Sequence, residues 1–248
     1  MEGLNEKINK LKKQRNTVIL AHNYQLPEVQ DIADYHGDSL ELSRIAAKSD
    51  AEVVVFCGVH FMAETASILC PDKKVLIPDV NAGCPMANMI TAADLRELKA
   101  RHPRAAVVGY VNTSAEVKAE LDICCTSTNA VEVVNRLKKE EEIIFIPDKY
   151  LADFVSRRTG RRLISWDGYC PTHVKIRPED IIKQIRLHPH AKVMVHPECI
   201  PEVIALADVA LSTGRMCKYA QESAAKEFIV GTATGIIYRL PKDNPGKK

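Results

Sequence analysis

Three stretches of the chain follow one ungapped register. His22, Tyr110 and His196 each close a mostly β-branched apolar run: Val18-Ile19-Leu20-Ala21, Ala106-Val107-Val108-Gly109 and Val193-Met194-Val195. Glu-Val follows in every copy (Glu28-Val29, Glu116-Val117, Glu202-Val203), then an aspartate (Asp34, Asp122, Asp208), then a hydroxyl (Ser39, Ser127, Thr213). Four coincidences in one register point to an internal triplication. Units of roughly 80 residues are too small for an adequate core alone and need their neighbours. The division expected is 1–90 with Cys84, 91–176 with Cys170, and 177–248 as a third repeat that is C-terminally incomplete. Cys84 lies 62 residues after His22, and Cys170 lies 60 after Tyr110. The same spacing puts a third cysteine at about position 256 to 258, whereas the sequence given ends at Lys248.

Each copy reads strand, helix, strand, helix, strand. The first has strands at 17–21, 51–56 and 74–77, a helix opened by Pro27, and a short helix over 63–69. Proline suits a first helical turn, where its missing amide donor is not needed. The second copy has strands at 105–108, 142–146 and 162–165, with helices over 115–121, 130–138 and 150–157. The third begins with 191–195, continues through helices around Ile204 and Ala220, and reaches Phe228-Ile229-Val230. Connecting helices start near Thr91 and Pro178, and the polar tail from Lys242 is expected to fray. Apolar strands alternating with helices predict an α/β fold: three similar α/β/α units with parallel sheets around a pseudo-threefold axis.

A formal charge of +2 gives no electrostatic case for nucleic acid or a membrane surface as partner. The basic start, Lys7 to Arg15, reads as a solvated helix face, and no apolar stretch follows that would make a signal peptide or membrane span. Eight cysteines without a secretory signal point to thiols in a reducing compartment, the cytoplasm. Cys57 lies in an apolar run and is expected in the core. Cys124, Cys199 and Cys217 read as small buried hydrophobes. Only Cys84 and Cys170 occupy equivalent repeat positions, and for these metal ligation is the reading.

Ligands of open parallel sheets bind outside the carboxyl ends of the strands. His22-Asn23-Tyr24, Tyr110-Val111-Asn112 and His196-Pro197-Glu198 interrupt the apolar runs there. Asp38-Ser39, Thr126-Ser127-Thr128 and Ser212-Thr213 each precede a helical segment. Simple helix capping explains them. So does an anion site, because helix N-termini favour negative charge, and a small polyanionic substrate is then the natural guess.

These residues resemble the quinolinate synthases, the A protein of the bacterial and archaeal route to NAD. The segments that carry the resemblance are Ala21-His22-Asn23-Tyr24, Gly37-Asp38-Ser39, 81–87, 110–115, 125–130, Trp166-Asp167-Gly168-Tyr169-Cys170-Pro171-Thr172-His173 and His196-Pro197-Glu198-Cys199. The resemblance implies three similar units around a pseudo-threefold axis. It implies condensation of iminoaspartate with dihydroxyacetone phosphate to quinolinate, with loss of phosphate and two waters. It also implies a [4Fe–4S] cluster held by one cysteine per unit, its fourth iron open as a Lewis acid. By position, Cys84 and Cys170 are the ligands present. His22, Ser39, Tyr110, Asn112, Ser127, His196, Glu198 and Thr213 line the substrate cavity. Tyr24 and Glu198 are candidates for proton transfer, with His173 in support. An L-aspartate oxidase or dehydrogenase supplies the imine. The sequence departs from the family at Leu211, usually glycine, at Ala233, usually glutamate, and in the third cysteine. Cys199 and Cys217 lie at the wrong offsets to replace it, so impaired catalysis is expected of this form.

Rival readings remain open. Cys170 and His173 have the short spacing of zinc sites, without a second such pair or H-E-x-x-H. No G-x-G-x-x-G follows a strand, which disfavours a dinucleotide-binding domain. An inactive fragment, or a non-enzymatic iron–sulfur or redox-sensing protein on the same scaffold, is the alternative from another class.

Overall fold

The computed structural model describes residues 2–138 and 142–248. Among these, eleven strands form three all-parallel sheets. The first holds β1 (Thr17–His22), β2 (Tyr35–Gly37), β3 (Val53–Cys57) and β4 (Lys74–Leu76) in the order β2-β1-β3-β4. The second holds β5 (Ala106–Tyr110), β6 (Ile123–Cys125), β7 (Ile143–Ile146) and β8 (Ile164–Ser165) in the order β6-β5-β7-β8. The third holds β9 (Lys192–Val195), β10 (Val209–Ala210) and β11 (Phe228–Gly231) in the order β10-β9-β11. Helices connect the strands throughout, as parallel pairing requires. The contacts divide the chain into two compact units, Met1–Cys84 and Pro85–Lys248. The first sheet lies in the first unit and the other two in the second.

The repeat register is physical. Leu20 pairs with Tyr35, Val108 with Ile123 and Met194 with Val209, the same offset in each sheet. The recurring aspartate explains it. Asp34, Asp122 and Asp208 each accept the amide of the residue fifteen positions earlier (Ile19, Val107, Val193), at 2.8 Å in all three copies. Each returns its own amide to that residue's carbonyl, at 2.8, 3.1 and 2.9 Å. The carboxylate thus completes the ladder where the edge strand begins. Charged acceptors of this kind contribute about 1.5–3 kcal/mol. The recurring valine has a packing role. Val117 and Val203 are core residues of their sheets, and Val29 packs against Ile19, Ala21 and Cys57.

β7, Ile143-Ile144-Phe145-Ile146, is buried at every position, because sheet and helices cover both its faces. Thr91 and Asp94 form a capping box, and Asp38, Ser114, Asp148 and Ser212 each cap the helix that follows them. Pro27, Pro178 and Pro201 stand in first turns.

Several details differ from the sequence reading. Each repeat has a further short strand (β2, β6, β10) between its first two helices. At two or three residues, these strands are too short to display an alternating pattern. The helix expected over 115–121 ends at Lys118. There Glu120 and Leu121 make tight turns to Val117 and Lys118, delivering Asp122 to the sheet edge. The helix expected from Ala63 starts at His60. Cys124 is exposed on β6, while Cys57 and Cys199 are buried. The tail is held: helix Ile236–Asp243 continues past Lys242. Phe228 N–H then bonds Lys248 O at 2.8 Å, and Lys247 Nζ donates to the carbonyls of Ala220, Gln221 and Ser223. Those carbonyls end helix Thr213–Glu222, where a cation is favoured.

Candidate active site at the strand ends of the second unit

In the second unit the chemistry gathers at the carboxyl ends of the strands. Tyr110 is the last residue of β5 and His196 the first after β9. Glu198 follows two residues later, its amide donating to His196 Nδ1 at 3.3 Å. Tyr110 OH donates to Glu198 Oε1 at 2.5 Å, joining the second repeat to the third. His173 lies in the short 3₁₀ turn His173–Lys175, after the loop that follows β8. Its Nδ1 is 2.9 Å from Glu198 Oε2 and 3.1 Å from Cys170 Sγ. Its Nε2 meets Thr232 Oγ1, the residue after β11, at 2.8 Å. The His173 and His196 rings stack with centroids 4.6 Å apart. Ser127, beyond β6, places Oγ 3.4 Å from His196 Nε2. Thr128 and Ser212 share a 2.7 Å hydroxyl bond between the two repeats.

Glu198 is 3% and His173 2% exposed, so electrostatics act here with little screening by water. Burial pushes the Glu198 carboxyl up. The His196 and His173 imidazoles, with bonds from His173 and Tyr110, outweigh it and hold the group well below the carboxylate range. Glu198 is therefore a buried anion with donors on both oxygens, as such a charge requires. Burial first, and the Glu198 charge second, push the Tyr110 phenol well above its ordinary value. The same two causes, in the same order, raise the Cys170 thiol. A proton donor, a carboxylate base and a thiol thus share one dry corner.

Asp148 went unnoticed in the sequence. It follows β7 and Pro147, is 0% exposed, and caps helix Lys149–Thr159 by accepting Leu151 N–H at 2.7 Å. Its Oδ2 has no hydrogen-bond partner among the described residues. Burial, then the Glu198 charge, raise its carboxyl well above the usual range, against backbone donors at Leu151, Tyr150 and Cys170. The same stretch clamps the Cys170 loop. Lys149 N–H bonds Gly168 O at 2.8 Å, and a Cβ on Gly168 would meet Pro147 O at 2.4 Å. On the other side Trp166 Nε1 donates to Met89 O at 2.8 Å. Its sequence signal is a polar residue just after an apolar strand, the same signal that marks the end of β5.

Of the residues singled out in the sequence, Tyr110, Ser127, Cys170, His173, His196 and Glu198 come together here. Asn112 is half-buried just beyond β5. Thr213 is buried at the start of helix Thr213–Glu222, whose N-terminus Ser212 caps. Leu211 is half-buried, its amide continuing the sheet to Val195 O at 2.9 Å. In the first unit, His22 ends β1, is buried, and accepts Tyr24 N–H on Nδ1 at 3.3 Å, the arrangement repeated at His196 and Glu198. The His22 and Tyr24 rings meet edge-on at 4.8 Å. Ser39 is buried at the first position of helix Ser39–Lys48, after the Asp38 cap. Cys84 is half-buried beyond β4.

A family model described as Quinolinate synthetase A protein matches residues 6–248. A quinolinate synthase of Dehalococcoides mccartyi strain CBDB1 is 62% identical over 246 residues, covering 99% of this chain and 81% of the relative. One from Methanosarcina barkeri is 57% identical, covering 98% of this chain and 80% of its own length. One from Geotalea uraniireducens is 56% identical over 247 residues.

Proposed function

The chain belongs to the quinolinate synthetase A protein family, and from that membership we propose the reaction and the part each residue plays in it. Iminoaspartate condenses with dihydroxyacetone phosphate to give quinolinate, inorganic phosphate and two waters. Atoms balance without an oxidant. The observation that carries the reading is Glu198: a buried carboxylate held ionised between Tyr110, His173 and His196, beside the Cys170 thiol.

Enolisation and dehydration both need a base that takes a proton from carbon, with an acid at the carbonyl oxygen in the first and at the leaving oxygen in the second. Glu198 serves as the base, with Tyr110 and His173 aligning its two oxygens. His173, fixed through Nε2 by Thr232, supports the transfer. Tyr24 in the first unit is the second proton-transfer group. His22, Ser39, Asn112, Ser127, His196 and Thr213 bind substrate carboxylates and phosphate, Ser39 and Thr213 from the first turns of capped helices where anions are favoured.

The donor set suits an iron–sulfur cofactor, because Cys84 and Cys170 are soft ligands at equivalent repeat positions and none of the eight cysteines forms a disulfide. These two would hold a [4Fe–4S] cluster, which when bound supplies a Lewis-acidic iron. The undisulfided cysteines also favour the cytoplasm; no helix among the described residues is long and apolar enough to cross a membrane. An L-aspartate oxidase or dehydrogenase would supply the imine. The boundaries 1–90, 91–176 and 177–248 are proposed as the repeats, each holding one sheet.

The test is an anaerobic quinolinate assay after reconstitution with iron and sulfide. It is run on residues 1–248 and on the same chain joined to the C-terminal segment of a longer relative. We expect quinolinate from the joined form and its loss on Glu198→Gln. A joined form that loads iron and sulfide but makes no quinolinate overturns the reading.

A further inference from the structure

The Cys170-x-x-His173 spacing has a third member that sequence spacing could not reveal. Cys170 Sγ, a ring nitrogen of His173 and a carboxylate oxygen of Glu198 lie within 4.8 Å of one another. The imidazole nitrogen is 3.1 Å from the sulfur and 2.9 Å from the oxygen. Tetrahedral zinc, with sulfur at about 2.3 Å and nitrogen or oxygen at about 2.0–2.1 Å, holds its ligand atoms roughly 3.3–3.6 Å apart. The two separations at Nδ1 therefore open by a few tenths of an ångström, and the sulfur–oxygen one, within 4.8 Å, closes by about 1.2 Å at most.

Two of the three groups already have their far atoms engaged. Thr232 Oγ1 holds His173 Nε2, and Tyr110 OH holds Glu198 Oε1. This leaves Nδ1 and Oε2 facing each other at 2.9 Å, the contact that an entering ion replaces. Such outer partners orient the ligands of established metal sites. Charge agrees as well. A divalent ion, a thiolate, a carboxylate and a neutral imidazole sum to zero, which suits a dry corner that would otherwise hold unneutralised charge.

We infer that Cys170, His173 and Glu198 bind a single divalent ion of borderline softness, Zn²⁺ first, when no cluster is present. A sulfur–nitrogen–oxygen set with an open fourth position suits Zn²⁺ and Co²⁺ better than the hard ions. Ion and cluster exclude each other, because both need the Cys170 sulfur. Zinc then acts as an inhibitor of cluster assembly. Only this exclusion rests on the cofactor reading above; the ion site stands without it.

The experiment uses the reduced, metal-free 248-residue chain under anaerobic conditions, titrated with Co²⁺ and then with Zn²⁺. One equivalent of Co²⁺ should bind with a thiolate-to-cobalt charge-transfer band, and Zn²⁺ should displace it. His173→Ala and Glu198→Gln should each weaken Co²⁺ binding at least about tenfold, and Thr232→Val about tenfold through the ring it orients. Cys170→Ser should remove the band. Cys84→Ser, which removes a proposed cluster ligand, should leave Co²⁺ binding unchanged. Zinc-edge X-ray absorption on the unaltered chain needs no variant to fold, and should show one sulfur with nitrogen or oxygen neighbours. A coordination shell with two sulfurs overturns the site, as does Co²⁺ binding that Cys84→Ser abolishes or that survives both His173→Ala and Glu198→Gln. If the ion binds as described but pre-loaded Zn²⁺ leaves iron and sulfide uptake unchanged, the exclusion is overturned and the site stands.

Discussion

Midway along β1, β5 and β9 the three copies are interchangeable: Asp34, Asp122 and Asp208 accept the same amide at the same 2.8 Å. At the carboxyl ends of those strands they are not. One register position holds His22, Tyr110 and His196, with three sets of neighbours. The clamp answers to the pairing of the first strand with the short edge strand, whose register is the same in each copy. On the proposed reading the strand end answers to a ligand, whose parts differ. At these two register positions, sameness marks what holds the sheet and divergence marks where the chemistry is proposed.

The largest expected effect lies at the divergent end. Glu198→Gln keeps the shape and loses the charge, so kcat should fall by about 10²–10⁴ while the urea midpoint stays near that of the parent. A lost fold would erase the distinction between the two regions. At the clamp the pattern should reverse. Asp122→Ala should cost about 1.5–3 kcal/mol, with Asp34→Ala and Asp208→Ala close to it, as urea titration will read. Costs differing widely among the three would show that the copies are not interchangeable after all.

Gly168→Ala sits between the two regions. Its Cβ meets the backbone oxygen of Pro147, so about 1–3 kcal/mol of strain is expected. Faster alkylation of Cys170 should accompany it as the loop loosens; an unchanged alkylation rate would place the loop's rigidity elsewhere. The smallest effect belongs to the rim of a clamp. Lys192 pairs with Asp208 at 2.6 Å with both side chains part exposed, so Lys192→Met should cost less than about 1 kcal/mol. The bond from Lys192 and that from the Val193 amide hold the Asp208 carboxyl below its ordinary value. A depressed carboxyl contributes stability above its unfolded-state value and loses it as pH falls through the folded-state one. The difference between parent and Lys192→Met should therefore vanish in acid, and a difference that grows there would contradict the assignment.

Much of this was legible in the residues alone. The triplication, the parallel α/β class and the strand-end polar residues followed from periodicity and register. Repeat spacing singled out Cys170 and the strand-end pattern Glu198; the resemblance added His173 and the role of each. The short strands escaped because Tyr35-His36-Gly37 carries no apolar alternation, its pairing set by Asp34 at the neighbouring strand. Asp148 escaped because a Pro-Asp pair before a helix looks like any cap; its burial depends on packing that no local pattern encodes. The tail reads as frayed because Lys247 is polar, yet its Nζ has three carbonyls to satisfy at the end of a helix.

The 2.5 Å bond between Tyr110 and Glu198 has a further consequence. Tyr110 and His196 occupy the same place in two copies of one unit, and both face the same carboxylate, at 2.5 and 3.8 Å. Identical subunits assembling side by side would present two tyrosines or two histidines at those places. Copies fused in tandem can mutate independently and offer unlike groups to one point. Fusion thus breaks the symmetry that duplication created, and lets a repeated scaffold distinguish the two ends of an asymmetric molecule.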